Sequence, residues 1–165
     1  MAKYLKHDAG IVREVETGAT GGATDANKIP ALNAAGQLTE AMMPTGVGRD
    51  VNTYTASEAL AAGAIVNVWD DAGTIKIRNA DASTNKPAHG FVSQAVTSGA
   101  VAEVYAEGTN ASVSGLSSVD IYLSGTAGQV TGTIPTTSGH LVQKVGVYAS
   151  ASSFNFERGT VIRLA

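Results

Sequence analysis

The chain has no cysteine among its 165 residues. No disulfide can therefore stabilise the fold, and the chain can perform no thiolate chemistry and bind no metal through cysteine. A chain without cysteine fits synthesis in a reducing cytoplasm.

Long apolar runs and basic patches are also absent. No stretch approaches the roughly 20 apolar residues that span a bilayer, and residues 1–10 are polar, without a hydrophobic signal core. The net charge is −3, with acidic and basic residues scattered along the chain. We therefore expect neither a membrane nor a nucleic acid as a direct partner.

Charged and aromatic residues are scarce. Charged residues make up 15% of the chain, against roughly 25% in typical soluble domains, and small residues take their place. A surface with few long side chains loses little side-chain entropy when it is covered. This composition favours a protein that contacts neighbours over much of its surface, although a plain turn-rich β protein would have a similar composition.

Residues 18–50 are the most informative stretch that is present. They hold too few large apolar residues to form a core, yet they carry spaced apolar positions. These arm anchors are Ile29, Leu32, Leu38, Met42, Met43 and Pro44. We predict that residues 1–50 form an extended N-terminal arm whose anchors are buried on another subunit. The alternative is that the arm folds back and covers an open edge of its own body.

Three local structures are predicted within the arm. Residues 11–15 contain a short apolar group, which predicts an edge strand that pairs with the body or with a neighbouring subunit. Residues 33–36 read as a turn in which Gly36 takes a positive φ. Residues 39–43 fit a single helical turn that Pro44 ends.

Residues 51–165 alternate apolar and polar positions, and turn signals recur every 8–12 residues. This pattern predicts an all-β body, a small and mostly antiparallel β-barrel or sandwich of roughly eight to ten strands. The clearest hairpin joins residues 64–69 to residues 74–78 through a tight turn at residues 70–73.

Several finer expectations concern the same region. Ile75 and Ile77 are predicted to share the buried face of one strand, and Val119 is predicted to point inward from another. Residues 91–96 read as a strand. A capping-box pattern at residues 55–58 predicts a short helical turn over residues 57–62.

Residues with catalytic or metal-binding chemistry are few. His7, His89 and His140 show no metal-ligand spacing, and we expect His89 to be structural and His140 to lie at the surface. Asp70 and Asp71 fit a hairpin turn better than an acid–base pair. The sequon at Asn110 indicates an exposed turn. No nucleophile or nucleotide-binding motif is present, so we expect no catalytic site, no metal site and no cofactor.

The order of five segments gives the chain a family resemblance. The segments read DANKIPALNAAGQLTEAMMPTGVGRD, ASEALAAGAIVNVWDDAGTIKIRNADAS, HGFV, YAEGTNASVSGL and IYLSGTAGQVT. Together they resemble small structural proteins of tailed bacteriophages, namely capsid decoration or cement proteins, some of whose relatives carry tail-fibre labels. The resemblance covers about residues 18–165.

The resemblance implies a non-enzymatic virion protein, made in the bacterial host cytoplasm, that binds the outer surface of the head. It implies the major capsid protein as partner, a homo-oligomer with a trimer favoured, and bridging of neighbouring capsid subunits. An arm of about 30 extended residues spans on the order of 100 Å at most, which is long enough to bridge. The alternative is a tail-fibre or spike component that binds a receptor or glycan, and an enzyme is the remaining alternative.

Overall fold

The structure is a computed structural model that describes residues 3–18, 23–34, 36–39, 42–43 and 50–165. The chain divides into two compact units, residues 1–48 and residues 49–165, which are described in turn. The described residues contain β-strands, turns and short 3₁₀ helices, and no α-helix is found among them. The predicted all-β fold is confirmed.

The first unit opens with a β-hairpin. Strands β1 (Lys3–Asp8) and β2 (Ile11–Glu16) pair antiparallel, with Asp8 opposite Ile11. Ala9 and Gly10 have φ values of 48° and 84°, the left-handed pair that a two-residue hairpin turn requires. The edge strand predicted around residues 11–15 is therefore one half of a hairpin, and it pairs with β1. The sequence hid this partner because β1 is mostly charged and polar.

The second unit contains a closed barrel of five strands in the order β3-β5-β4-β6-β7. The strands are β3 (Val51–Ala56), β4 (Ile65–Asp71), β5 (Thr74–Asn79), β6 (Gly90–Phe91) and β7 (Val101–Tyr105). All pairs are antiparallel except β3 with β5, which run parallel. A barrel of so few strands has a narrow interior. Small and branched side chains fill it, namely Ala56, Leu60, Ala64, Val66, Ile77, Val92, Ala102 and Val104.

The remaining strands of the second unit form a six-stranded antiparallel sheet. The strands are β8 (Gly108–Asn110), β9 (Asp120–Leu123), β10 (Val130–Thr131), β11 (Leu141–Ser150), β12 (Ser153–Phe156) and β13 (Val161–Arg163). Their order is β10-β9-β11-β12-β8, and β13 pairs with one end of β11. A second core joins sheet and barrel: Ile65 and Phe91 from the barrel pack with Ile121, Leu141 and Phe154 from the sheet.

The predicted turn at residues 70–73 is confirmed. Ala72 and Gly73 both have positive φ, and β4 passes directly into β5 through them. The Asp70 carboxylate accepts a hydrogen bond of 2.7 Å from the Gly73 amide, and the Asp71 carboxylate forms an ion pair with Lys76. These two acids therefore hold the turn and its flanking strands.

The helical turn predicted over residues 57–62 is wrong. The Ser57 hydroxyl donates to the Ile77 carbonyl, and the Glu58 carboxylate accepts from the Asn79 amide. Of the two residues of the expected capping box, Glu58 is therefore bound to the neighbouring strand and Thr55 lies within β3. Leu60 instead forms a bridge with Val96.

The number of strands, and the burial of two residues, also differ from the predictions. Residues 50–165 hold eleven strands, β3 to β13, because short pairings such as β6 and β10 count as separate strands. Ile77 is buried, but Ile75 and Val119 are exposed. Ile75 lies next to the hairpin turn and Val119 precedes β9, so neither residue lies over a core.

Candidate interaction surface

Backbone hydrogen bonds hold the segment that follows the hairpin. The Gly18 amide donates to the Ile29 carbonyl at 2.9 Å, and the Ala31 amide donates to the Gly18 carbonyl at 2.7 Å. Lys28 and Asp25 form an ion pair at 3.1 Å. These bonds fix the chain on both sides of Pro30, whose φ is restricted and which has no amide hydrogen to donate.

The two end residues of the turn predicted at residues 33–36 are placed as expected, and Ala35 lies outside the described residues. The Gly36 amide donates to the Asn33 carbonyl at 3.0 Å, and Gly36 has a φ of 74°. The Asn33 side chain accepts a further bond from the Gln37 amide. Past this turn, the Met42 amide donates to the Thr39 carbonyl at 3.0 Å. Residues 40 and 41 of the predicted helical turn lie outside the described residues.

The described arm anchors project into solvent from this frame. Their exposed fractions are 52% for Ile29, 61% for Leu32, 45% for Leu38 and 40% for Met43, and Met42 is half-buried. Pro44 lies outside the described residues. Among the described residues of the segment, backbone hydrogen bonds and turns hold the chain, and the large apolar side chains of Ile29, Leu32 and Leu38 remain available for another surface.

The two faces of the β1–β2 hairpin differ in exposure: apolar side chains are half-buried on one face and exposed on the other. Tyr4 and Val15 lie opposite each other on one face, where both are half-buried and the Tyr4 hydroxyl reaches the Asn27 carbonyl. The other face carries Leu5, which is 74% exposed, and Val12, which is also exposed. Sequence reasoning missed Leu5, because a single apolar residue between Tyr4 and Lys6 gives no periodic signal.

A groove in the second unit lies between the barrel and the six-stranded sheet. It has a volume of about 960 Å³, and its walls include Asp50, Tyr105, Glu107 and Glu157. Phe91 and Phe156 also line it, but both are buried, and the Phe91 ring stacks on Tyr105. Tyr105 is therefore the one partly exposed ring among the lining aromatics, which is too little for a platform of stacked rings.

The histidines do not gather into a metal site. No group of three or more His, Asp or Glu side chains within reach of one ion occurs in the described part of the chain. His89 accepts a hydrogen bond of 2.9 Å at Nδ1 from the Val68 amide, as expected of a structural histidine. Its burial, followed by the nearby Arg158 guanidinium, lowers the pKa of His89. His7 is exposed on β1, and His140 is half-buried.

Asn110 departs from its predicted exposed turn. Its side chain is 1% exposed, its Nδ2 donates to the Gly63 carbonyl, and its Oδ1 accepts from the Ser112 amide. The sequon asparagine is therefore a buried bridge between two parts of the second unit. The amide nitrogen that a glycan would need is already bound.

The single tryptophan, Trp69 on β4, lies against the side chain of Arg78 on β5. The Arg78 guanidinium lies 4.4 Å from the Trp69 ring centre, a cation–π distance. Arg78 Nε also donates to Asn67, whose own amide donates to the Pro87 carbonyl. These contacts make the tryptophan part of the barrel wall.

Comparisons with protein-family models, with curated proteins and with solved structures gave no match. Among the residues that the structure describes, none lies in a helix long and apolar enough to cross a membrane. The surfaces of the two units are therefore the remaining basis for a functional proposal.

Proposed function

We propose that this protein is a non-enzymatic component of a tailed-phage virion that binds the outer surface of the head. It acts as a capsid decoration protein, and its arm bridges neighbouring subunits of the major capsid protein. The observation that carries the proposal is the exposure of Ile29, Leu32, Leu38 and Met43 along one segment. The ordered family resemblance over residues 18–165 supports the same assignment.

The physical basis is burial of the arm anchors at an interface. Apolar area removed from water contributes roughly 25 cal/mol per Å² before the costs of ordering are subtracted. Methionine suits such a surface because its unbranched side chain adapts to irregular pockets. A head presents many equivalent sites, so a modest affinity at each site adds up to strong restraint.

The body has a different task. It contains two apolar cores. Its buried polar side chains, Asn67, Asp81, Asn110 and Gln143, all make hydrogen bonds within the unit and so serve to hold the fold. A rigid knob keeps the arm at the head surface. We further propose that copies associate on the head, with a trimer as the favoured number.

The test is binding of the full chain to heads assembled without it, measured by co-sedimentation. Leu32→Asp places a charge at the most exposed anchor, and we expect affinity to fall about tenfold or more. Met42→Asp should have the same direction. Gln37→Asp is the matched control, because it adds the same charge at a neighbouring exposed position that carries no apolar side chain.

If Leu32→Asp and Met42→Asp bind heads as well as the unmodified chain, the arm anchors are not the contact and the proposal fails. Binding that falls equally in Gln37→Asp would indicate a general charge effect. A clear hit on a glycan array with no affinity for heads would favour the tail-fibre alternative.

A further inference from the structure

The barrel closes between β6 and β7 at a single position, so most of the second backbone edge of β7 is open. Strand β7 pairs with β3 along its whole length, but on its other side it meets β6 at one position, Phe91 opposite Tyr105. The Ala106 amide donates to Asp50, and the Ala56 amide donates to Ala100. Because hydrogen-bonded pairs alternate along antiparallel strands, the even-numbered residues of β7 bond to β3.

The backbone groups of Val101 and Glu103 consequently point away from β3. The segment that could meet them turns elsewhere: the Val92 amide donates to Ala64, and Val96 pairs with Leu60. Residues 93–95 bend outward and are exposed. A groove of about 460 Å³ is left between residues 92–97 and β7. Within residues 50–165, no backbone group bonds to the outer edge of Val101 or Glu103.

An open edge with an exposed apolar side chain is a template for another strand. Val101 is 70% exposed beside this edge. The groove is also continuous with the larger one between barrel and sheet, since both are lined by Ser93, Gln94 and Tyr105. An extended segment could therefore enter along β7 and continue past Tyr105.

The charge of the two grooves indicates which kind of strand would bind there. Their lining residues include four acids and no Lys, Arg or His; the acids are Asp50, Glu103, Glu107 and Glu157. Among the groove acids, Glu103 accepts a hydrogen bond of 3.3 Å from the Tyr105 hydroxyl, a neutral partner that leaves its charge in place. The other acids of the second unit bond to groups outside the two grooves, namely Glu58 to Asn79, Asp70 to Gly73, Asp71 to Lys76, Asp81 to Ser83 and Asp120 to Lys144. A field of one sign attracts a strand of the opposite sign.

Strand β1 of this chain has the required properties. In the described residues it pairs with β2 alone, so its second edge is open. It carries two bases, Lys3 and Lys6, and one acid, Asp8, whereas β2 carries two acids, Glu14 and Glu16, and one base, Arg13. The acidic grooves therefore favour β1 over β2.

We propose that β1 of a second copy adds antiparallel to the open edge of β7. Leu5 of one copy then lies opposite Val101 of the other, and Lys3 lies opposite Glu103. The two strands meet through odd-numbered residues on both sides, which gives an apolar pair next to an ion pair. A contact that joins the hairpin of one copy to the barrel of the next is head-to-tail, and such contacts form closed rings when the rotation allows.

The chain contains no cysteine, so single introduced cysteines report contacts without background. Equal amounts of Leu5→Cys and Val101→Cys protein are mixed and mildly oxidised, and the linked peptides are identified by mass spectrometry. We expect a disulfide between the thiol introduced at position 5 of one copy and the thiol introduced at position 101 of another. Val12→Cys with Val101→Cys, and Leu5→Cys with Ile75→Cys, are the controls, because Val12 and Ile75 are also exposed but lie outside the proposed pairs.

A charge exchange provides a second readout. Glu103→Lys alone and Lys3→Glu alone should each weaken self-association about five- to tenfold, measured by light scattering over a concentration series. The double variant Lys3→Glu with Glu103→Lys should recover most of the loss. Lys3 also pairs with Glu14 at 3.3 Å, but both groups are exposed, so loss of that pair has little effect on folding.

The proposal is overturned if the control cysteine combinations link as readily as the proposed pair, or if the unmodified chain stays monomeric at every concentration and the proposed pair forms no link. A double variant Leu5→Cys with Val101→Cys that closes within one chain and remains monomeric would also overturn it. Each of these experiments uses the isolated full chain, so their outcome does not depend on binding to heads.

Discussion

At the scale of single residues, buried polar side chains join the parts of the second unit. Gln143 on β11 is fully buried; its Oε1 accepts from the Ala88 amide at 2.7 Å, and its Nε2 donates to the Ala88 carbonyl at 3.0 Å. The amide imitates a backbone pairing between the sheet and the loop before β6. A glutamine in an alternating strand gives no sign of this in the sequence.

Replacing Gln143 by leucine should be strongly destabilising. The volume is nearly kept, but the buried amide and carbonyl of Ala88 lose their partner, and each unsatisfied group costs about 1–3 kcal/mol. We expect the free energy of unfolding to fall by about 2–4 kcal/mol in urea titrations. Thr109→Val is the control, because it removes an exposed side-chain hydrogen bond to Asn155. Equal stability of Gln143→Leu and the unmodified chain would contradict the assigned role.

His89 should make stability depend on pH. Burial lowers the pKa of His89 in the folded chain, so between the unfolded value near 6.5 and the lower folded value the unfolded chain binds more protons. The free energy of unfolding should therefore fall as pH drops below about 6.5. Chemical denaturation at a series of pH values measures this slope.

The variant His89→Asn separates titration from hydrogen bonding. Its Oδ1 can still accept from the Val68 amide, but it does not titrate. We expect the slope below about pH 6.5 to become shallower than in the unmodified chain. An unchanged slope would contradict the assignment of this pH dependence to His89.

At the scale of elements, two glycines differ in how closely other strands approach them. Gly146 on β11 has a φ of 157°, and a Cβ there would overlap the Asn155 carbonyl oxygen of β12, whereas a Cβ at Gly73 would have no atom within 4 Å. Gly73 has a φ of 90°, so a side chain there meets backbone strain alone.

Gly146→Ala should therefore cost more than Gly73→Ala. For Gly73→Ala we expect a loss of about 1 kcal/mol from the positive φ. For Gly146→Ala we expect about 3 kcal/mol or more, because β11 and β12 must separate to admit the methyl group. Thermal unfolding of the two variants side by side measures the difference, and a reversed order would contradict the close approach of the two strands.

The elements also show what sequence patterns can resolve. The turn at Ala72 and Gly73 was predictable because the residues that accept positive φ are local and few. The capping box predicted from Thr55 and Glu58 did not form, because the Glu58 carboxylate bonds to Asn79, which is far away in sequence. The strand predicted over residues 91–96 shortened to Gly90–Phe91 for the same kind of reason, since Val92 and Val96 bond to residues of another segment.

At the scale of the whole molecule, the buried apolar cores lie in the second unit. Every buried apolar residue of the described chain falls between Ala56 and Phe156. An isolated two-stranded hairpin such as β1–β2 is marginally stable by itself. The first unit therefore adds little to the stability of the second, and its value lies in what it contacts.

Residues 50–165 should accordingly fold without the first unit. We expect this fragment to unfold cooperatively within about 5 °C of the full chain, because both cores are retained. The same fragment should lose self-association and binding to heads. A fragment that is unfolded, or one that still binds heads as well as the full chain, would contradict this division of roles.

Composition and local sequence pattern by themselves determined the all-β fold class of this protein. Period-two alternation and frequent turn residues specify strands and hairpins locally, so the all-β fold and the turn at residues 70–73 followed from the sequence. The spaced apolar residues of the arm also led from the sequence to the proposal that the arm binds a partner. Tertiary structure alone decided the closed barrel, the second sheet, the buried bridges of Gln143 and Asn110, and the open edge of β7. Each of these depends on atoms that are distant in sequence, and short-range patterns cannot report which distant groups will meet.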